Sequence, residues 1–223
     1  MHTQPPLDAA THVPQILDYW FSTLDDTSPL DHAVEPFRGC HQRWYGKKPA
    51  IDAEIKACFE PLLLACTRDG RRLEDVIEAF RQVPRGLLAL VVLLDQMPRN
   101  MYRETAGMYT HDPLALVVTR EAIRAHGHDE ALPVVQRMFL YVPLMHVENL
   151  TIQEHMLGRF DELVALARTR SPQNEGFFAF AREYARRHVD VVARFGRYPH
   201  RNTILGRETT AAEASFLVDN PGS

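Results

Sequence analysis

The chain has 223 residues, 45% of them hydrophobic and 24% charged, with a formal net charge of −4. This balance is that of an ordinary globular chain and argues against extended disorder, and the slight negative charge argues against a broad nucleic-acid surface. The strongest apolar run, GLLALVVLL at 86–94, is well short of the ~20 residues that span a bilayer, so no membrane segment is expected.

Residues 1–12 lack a basic segment followed by an apolar core, so they do not read as a secretory signal, and a cytoplasmic protein is expected. They are expected to be flexible, as are residues 219–223, around a single domain over 13–218. Val13, Ile16, Leu17, Trp20 and Phe21 recur at helical spacing. A Pro/Asp-rich connection at 24–35 follows. Ile51, Ile55, Cys58, Phe59, Leu62, Leu63 and Cys66 then continue a helical pattern over five turns, with a kink expected at Pro61. Cys40, Cys58 and Cys66 have no paired spacing and are expected as reduced thiols.

Leu73, Val76, Ile77 and Phe80 form a short amphipathic helix before Pro84. Residues 86–94, apolar on every side, predict a central helix packed all round. DQMPRNMYR at 95–103 then reads as a polar loop. Asp112 and Pro113 start a helix that Gly127 ends, Pro133 starts the next and Pro143 ends it, and MHVEN at 145–149 is a second polar loop. Thr151 and Glu154 have capping-box spacing. The last long helix begins at Ser171-Pro172, with Phe177, Phe180, Ala181, Tyr184, His188, Val191 and Phe195 as its expected buried stripe and Gly196 as its C-terminal glycine. Thr210 and Glu213 repeat the capping box. No segment alternates with period two, so the expected fold is all-α: stacked antiparallel helical hairpins in one tetratricopeptide-like domain.

Residues 182–207 hold seven arginines against Glu183 and Asp190, a basic element on an acidic body. GRYPHRNTILGRET at 196–209 belongs to it. Arg99, Arg197, Arg201 and Arg207 stand beside Pro, Asn or Gly in polar loops, where guanidinium forks suit two-point contact with a carboxylate or phosphate. Asp95, Gln96, Asn100 and Asn202 would complete the ligand contacts. His146, His188, His200 and Glu148 are the candidate acid–base groups, although His188 also fits a core histidine. A metal is not expected, since there is no His-Glu-x-x-His helix or Cys/His cluster and four arginines would oppose a cation. Signatures of phosphate loops, dinucleotide sites and nucleophile elbows are absent, so no cofactor is expected. Two functions remain open. One is a binder of, or enzyme acting on, a small anionic molecule, with His200 or Glu148 moving a proton. The other is an interaction module for a peptide or protein, its polar motifs fixing helix packing.

The combination of LLDQMPRNMYRETA, YVPLMHVENLTIQE and HVDVVARFGRYPHRNTILGRETT resembles the bacterial family called domain of unknown function 924. Met97, Val147, Tyr198 and Thr209 depart from its common residues. The resemblance runs from ILDYWF near the start to Thr210 and implies a tetratricopeptide-like helical fold without an established activity.

Overall fold

The computed structural model describes residues 7–68, 70–124 and 129–220. Helix makes up 73% of it, and no strand occurs among the described residues. In chain order the helices are α1 (Ala9–Phe21), α2 (Phe37–Tyr45), α3 (Pro49–Thr67), α4 (Leu73–Arg81), α5 (Gly86–Val91), α6 (Met97–Met101), α7 (Asp112–Arg124), α8 (Val134–Met145), α9 (Leu150–Arg170), α10 (Glu175–Phe195) and α11 (Ala211–Asp219). The expected stop at Gly127 lies outside the described residues.

Every residue of α5 is buried, as an all-round apolar run requires. It is enclosed by α1, α4, α7 and α8. Each of its leucines contributes ~1.5–3 kcal/mol relative to exposure. A Cβ at Gly86 would lie 1.8 Å from the Phe80 carbonyl oxygen, so the tight passage from α4 into α5 admits only glycine. Aromatic rings knit α1, α2 and α8 together: Trp44 stands 4.6 Å from Phe139, and Phe21 is 5.3 Å from Phe139 and 5.9 Å from Trp44. Helices α7 to α10 pack each on the next. The connection at 24–35 is pinned to the start of α10 by Asn174, which accepts from Leu30 N and donates to the Ser28 carbonyl, both at 2.8 Å.

Three local expectations are corrected. Residues 95–101 are helical, because a π-helical turn, Val92–Gln96, carries the chain from α5 into α6. Pro98 has no N–H and its ring would crowd the Leu94 carbonyl in a regular α-helix. The wider turn sends the Met97 N–H to the Val92 carbonyl instead. The cap of α9 is Asn149, which accepts from Ile152 N at 3.1 Å, and not Thr151. Finally, the expected buried stripe of α10 is a core face only in part: Val191 is buried and Phe177 and Ala181 are half-buried against the core, but Phe180 and Tyr184 are not covered. Phe178, Ala185, Val191 and Val192 are its buried residues, while Phe180 is 68% and Tyr184 47% exposed. The Thr210–Glu213 capping box forms as expected, and Gly196 takes the left-handed conformation (φ 70°) that ends α10.

Candidate functional site

The α10 stripe faces a cavity of about 470 Å³. Phe177, Phe180, Ala181, Tyr184 and His188 form one wall. Opposite them α2 supplies His41, Trp44 and Tyr45, and α8 supplies Met138, Phe139 and Val142. Gln96, Arg99 and His146 make a polar end, and His32, Met145 and Phe160 complete the lining. The size and the mixture, mostly apolar with a few convergent polar groups, are those of a small-molecule site.

The π-helical turn builds the polar end. Widened turns of this kind occur often at functional sites because they re-aim side chains within a helix. Here the turn carries Asp95 and Gln96, both buried, and Gln96 donates to the Asp95 carboxylate. One turn on, Arg99 Nη2 lies 2.8 Å from Asp112 Oδ1, 3.4 Å from Asp95 Oδ1 and 2.8 Å from His146 Nδ1. Among the described residues no hydrogen bond runs to its Nη1, and its Nε is buried without a partner. His146 Nδ1 is also 2.7 Å from Asp95 Oδ1. Facing an ionised carboxylate at that distance, Nδ1 is assigned the proton, so that it donates to Asp95 and Nε2 carries the lone pair; a protonated Nδ1 cannot accept from Arg99 Nη2, and their 2.8 Å approach is a contact and not a hydrogen bond. Arg201 lies behind this cluster, with Nη1 3.4 Å from Asp112 Oδ2 and its guanidinium between the Tyr109 and Tyr198 rings at 4.4 and 4.9 Å.

The electrostatics follow from burial. Asp95 is pushed up by desolvation, but the Arg99 charge and the hydrogen bonds from His146 and Gln96 outweigh that and hold its carboxyl well below the usual range. Burial, aided by Arg99, lowers His146. Burial also lowers His188 to about 4, although its Nδ1 bonds the Tyr184 carbonyl at 2.9 Å. At neutral pH the polar end thus holds two neutral imidazoles beside two Asp–Arg pairs. Donor atoms of Asp95, Asp112 and His146 lie within 4.8 Å of one another, a spacing that could hold a cation. Arg99 Nη2 stands among them, so a guanidinium nitrogen fills that place.

The family described as "Bacterial protein of unknown function (DUF924)" matches residues 16–222. The chain belongs to that family. A solved structure of a protein of unknown function from Agrobacterium tumefaciens is similar to this DUF924 chain at 33% identity and a TM-score of 0.70, over 96% of this chain and 100% of the other. No curated protein matches.

The remaining motif residues of this DUF924 member form a second network beside the cavity. Arg207 grips Glu148 through two bonds of 2.7 and 2.9 Å, and Glu148 also accepts from Tyr198 N at 2.8 Å. Arg197 forks onto Glu213 at 2.7 and 2.9 Å, and Asn202 reaches the same carboxylate at 3.3 Å. Asn100 donates to Asp52 at 2.9 Å, on the α3 side of α6. His200 is 5.6 Å from the Tyr198 ring. Of the residues singled out in the sequence, then, Gln96, Arg99, His146 and His188 line the cavity, with Asp95 and Arg201 directly behind. Glu148, Arg197, Asn202 and Arg207 fasten GRYPHRNTILGRET to the loop at 145–149 and to α11.

Sequence reasoning passed over Asp112, which it took as a helix start, and Tyr109, His32, His41, Trp44 and Tyr45. A signal existed for the α2 residues: His41, Trp44 and Tyr45 recur at helical spacing and give that short helix one aromatic face.

Proposed function

We propose that the protein binds a small carboxylate with an apolar body, and that His146 exchanges a proton with it. The observation that carries this reading is Arg99: it lines the cavity, and its hydrogen bonds to Asp112 and Asp95 both run through Nη2. Nη1 is left to meet a ligand oxygen, and Gln96, on the π-helical turn, lines the same cavity. His146 has the features of a general base, being neutral, oriented by a carboxylate at Nδ1 and placed on the cavity wall. His188 adds a second neutral imidazole. Because Arg99 and Arg201 already face Asp95 and Asp112, an incoming anion finds no surplus positive charge. Its arrival favours protonation of a nearby imidazole, so binding and proton uptake are coupled. The three free cysteines suit a reducing compartment, which supports a cytoplasmic protein.

Benzoate and benzyl alcohol, alike in body and different in head group, test the reading. Benzoate should raise Tm more than benzyl alcohol, and should shift the imidazole NMR signals of His146 and His188 while the exposed His155 stays unmoved. Equal stabilisation by the two probes, or silent His146 and His188 signals, would overturn the proposal.

A further inference from the structure

The cavity is longer than one head group requires, and its residues are sorted along α10. Phe177 and His188 are eleven residues apart on one face, which at 1.5 Å per residue is ~16 Å of groove. At the Phe177 end the rings of Phe177 and His32 stand 5.6 and 5.4 Å from Phe37, and His41 is 4.1 Å from His32. At the other end His188 is 5.5 Å from Tyr198, whose ring stacks on Arg201, and Arg201 shares Asp112 with Arg99. The charged groups therefore gather at one end alone.

Between the ends, Met138, Phe139, Val142 and Phe160 offer no strong hydrogen-bonding group. A peptide backbone lying against them would leave the N–H and C=O groups on that side without partners, which an apolar setting penalises. A hydrocarbon body has no such requirement. Tyr45, Phe180 and Tyr184 are each about half exposed or more while lining the same groove, so aromatic surface stands open to solvent along its outer wall.

We propose that the ligand is an elongated monocarboxylate whose unbranched apolar body lies along α10, with its carboxylate at Arg99 and its far end toward His32 and His41. This inference rests on the carboxylate reading above and adds a length and a direction to it.

Calorimetric titration with butanoate, hexanoate, octanoate and decanoate provides the test, with decanol as the chain-matched neutral probe. Each added methylene that finds cover should tighten binding by up to about fourfold. In the Ala181→Phe variant a ring fills the groove seven residues, ~10 Å, from His188. Ala181 lines the cavity, so the added ring enters open space, and a circular-dichroism melt of the variant checks that the fold is kept. Butanoate should bind the variant and the original chain alike, whereas octanoate and decanoate should lose their gain in the variant. A series in which every chain length binds equally, or an unaltered length dependence in Ala181→Phe, would overturn the elongated ligand and leave the head-group reading standing. Decanol binding as tightly as decanoate would overturn both.

Discussion

Arg99 and Arg201 show how two arginines of similar sequence context come to different work. Both reach Asp112, but Arg99 lines the cavity while Arg201 is buried between two tyrosine rings. Replacing Arg201 removes one partner of Asp112 and two cation–ring contacts, while Arg99 still pairs the carboxylate. Arg201→Ala should therefore cost about 2–4 kcal/mol in denaturant unfolding. It should retain the benzoate-induced shift of His146. A variant of undiminished stability that has lost the shift would instead make Arg201 the ligand's own partner. The sequence placed both residues in polar motifs, yet it could not assign Asp112 to them, because that carboxylate comes from α7 through tertiary packing. The same holds for Glu213 of α11 and Arg197, which are paired across the end of the chain.

At the level of elements, the order of the longer helices was legible because apolar positions recur at 3.6 residues and Pro, Gly and Thr mark the ends, whereas the short α2 and α6 were not. The face of α10 was legible too, since Phe177, Phe180, Ala181, Tyr184 and His188 do share one side. What that side meets was not, because periodicity records which residues lie together and says nothing of what stands opposite. The π-helical turn was likewise hidden, since Pro98 signals an interruption without saying whether the helix stops or widens. Pro98→Ala tests that account. Alanine restores the N–H and removes the ring that crowds the Leu94 carbonyl, so the segment should relax toward α-helix and rotate Asp95 and Gln96 away from His146. The expected result is an altered His146 imidazole signal and a weakened benzoate response in a protein that still melts cooperatively. An unchanged signal would show that packing, and not Pro98, holds the turn open.

Across the whole molecule, acid sensitivity should be set by histidines before carboxylates. Burial lowers His188, His146, His111 and His41, with Arg99 adding to the effect at His146 and His32 at His41. Each is therefore favoured as the neutral form in the folded chain, while in the unfolded chain it takes up a proton near its ordinary value of ~6.5. Between that value and the lower folded one, about 4 for His188, the unfolded state holds more protons. Stability conferred by these groups is complete above pH ~6.5 and is lost as the pH falls toward the folded values, at up to ~1.4 kcal/mol per pH unit for each titrating group. The depressed carboxylates act lower. Glu213, held down to about 2 chiefly by its bond from Arg197, contributes stability that is present above its unfolded value and disappears only as the pH approaches 2. Urea unfolding followed from pH 7.5 to 4 should thus show a decline beginning near pH 6.5, shallower in His188→Gln. Saturating benzoate should make it shallower still, because a carboxylate beside His146 and His188 offsets the cost of an imidazolium there. A stability that stays level to pH 5, or a decline that benzoate leaves untouched, would mean that the histidines are not held neutral by the fold or that no anion reaches them.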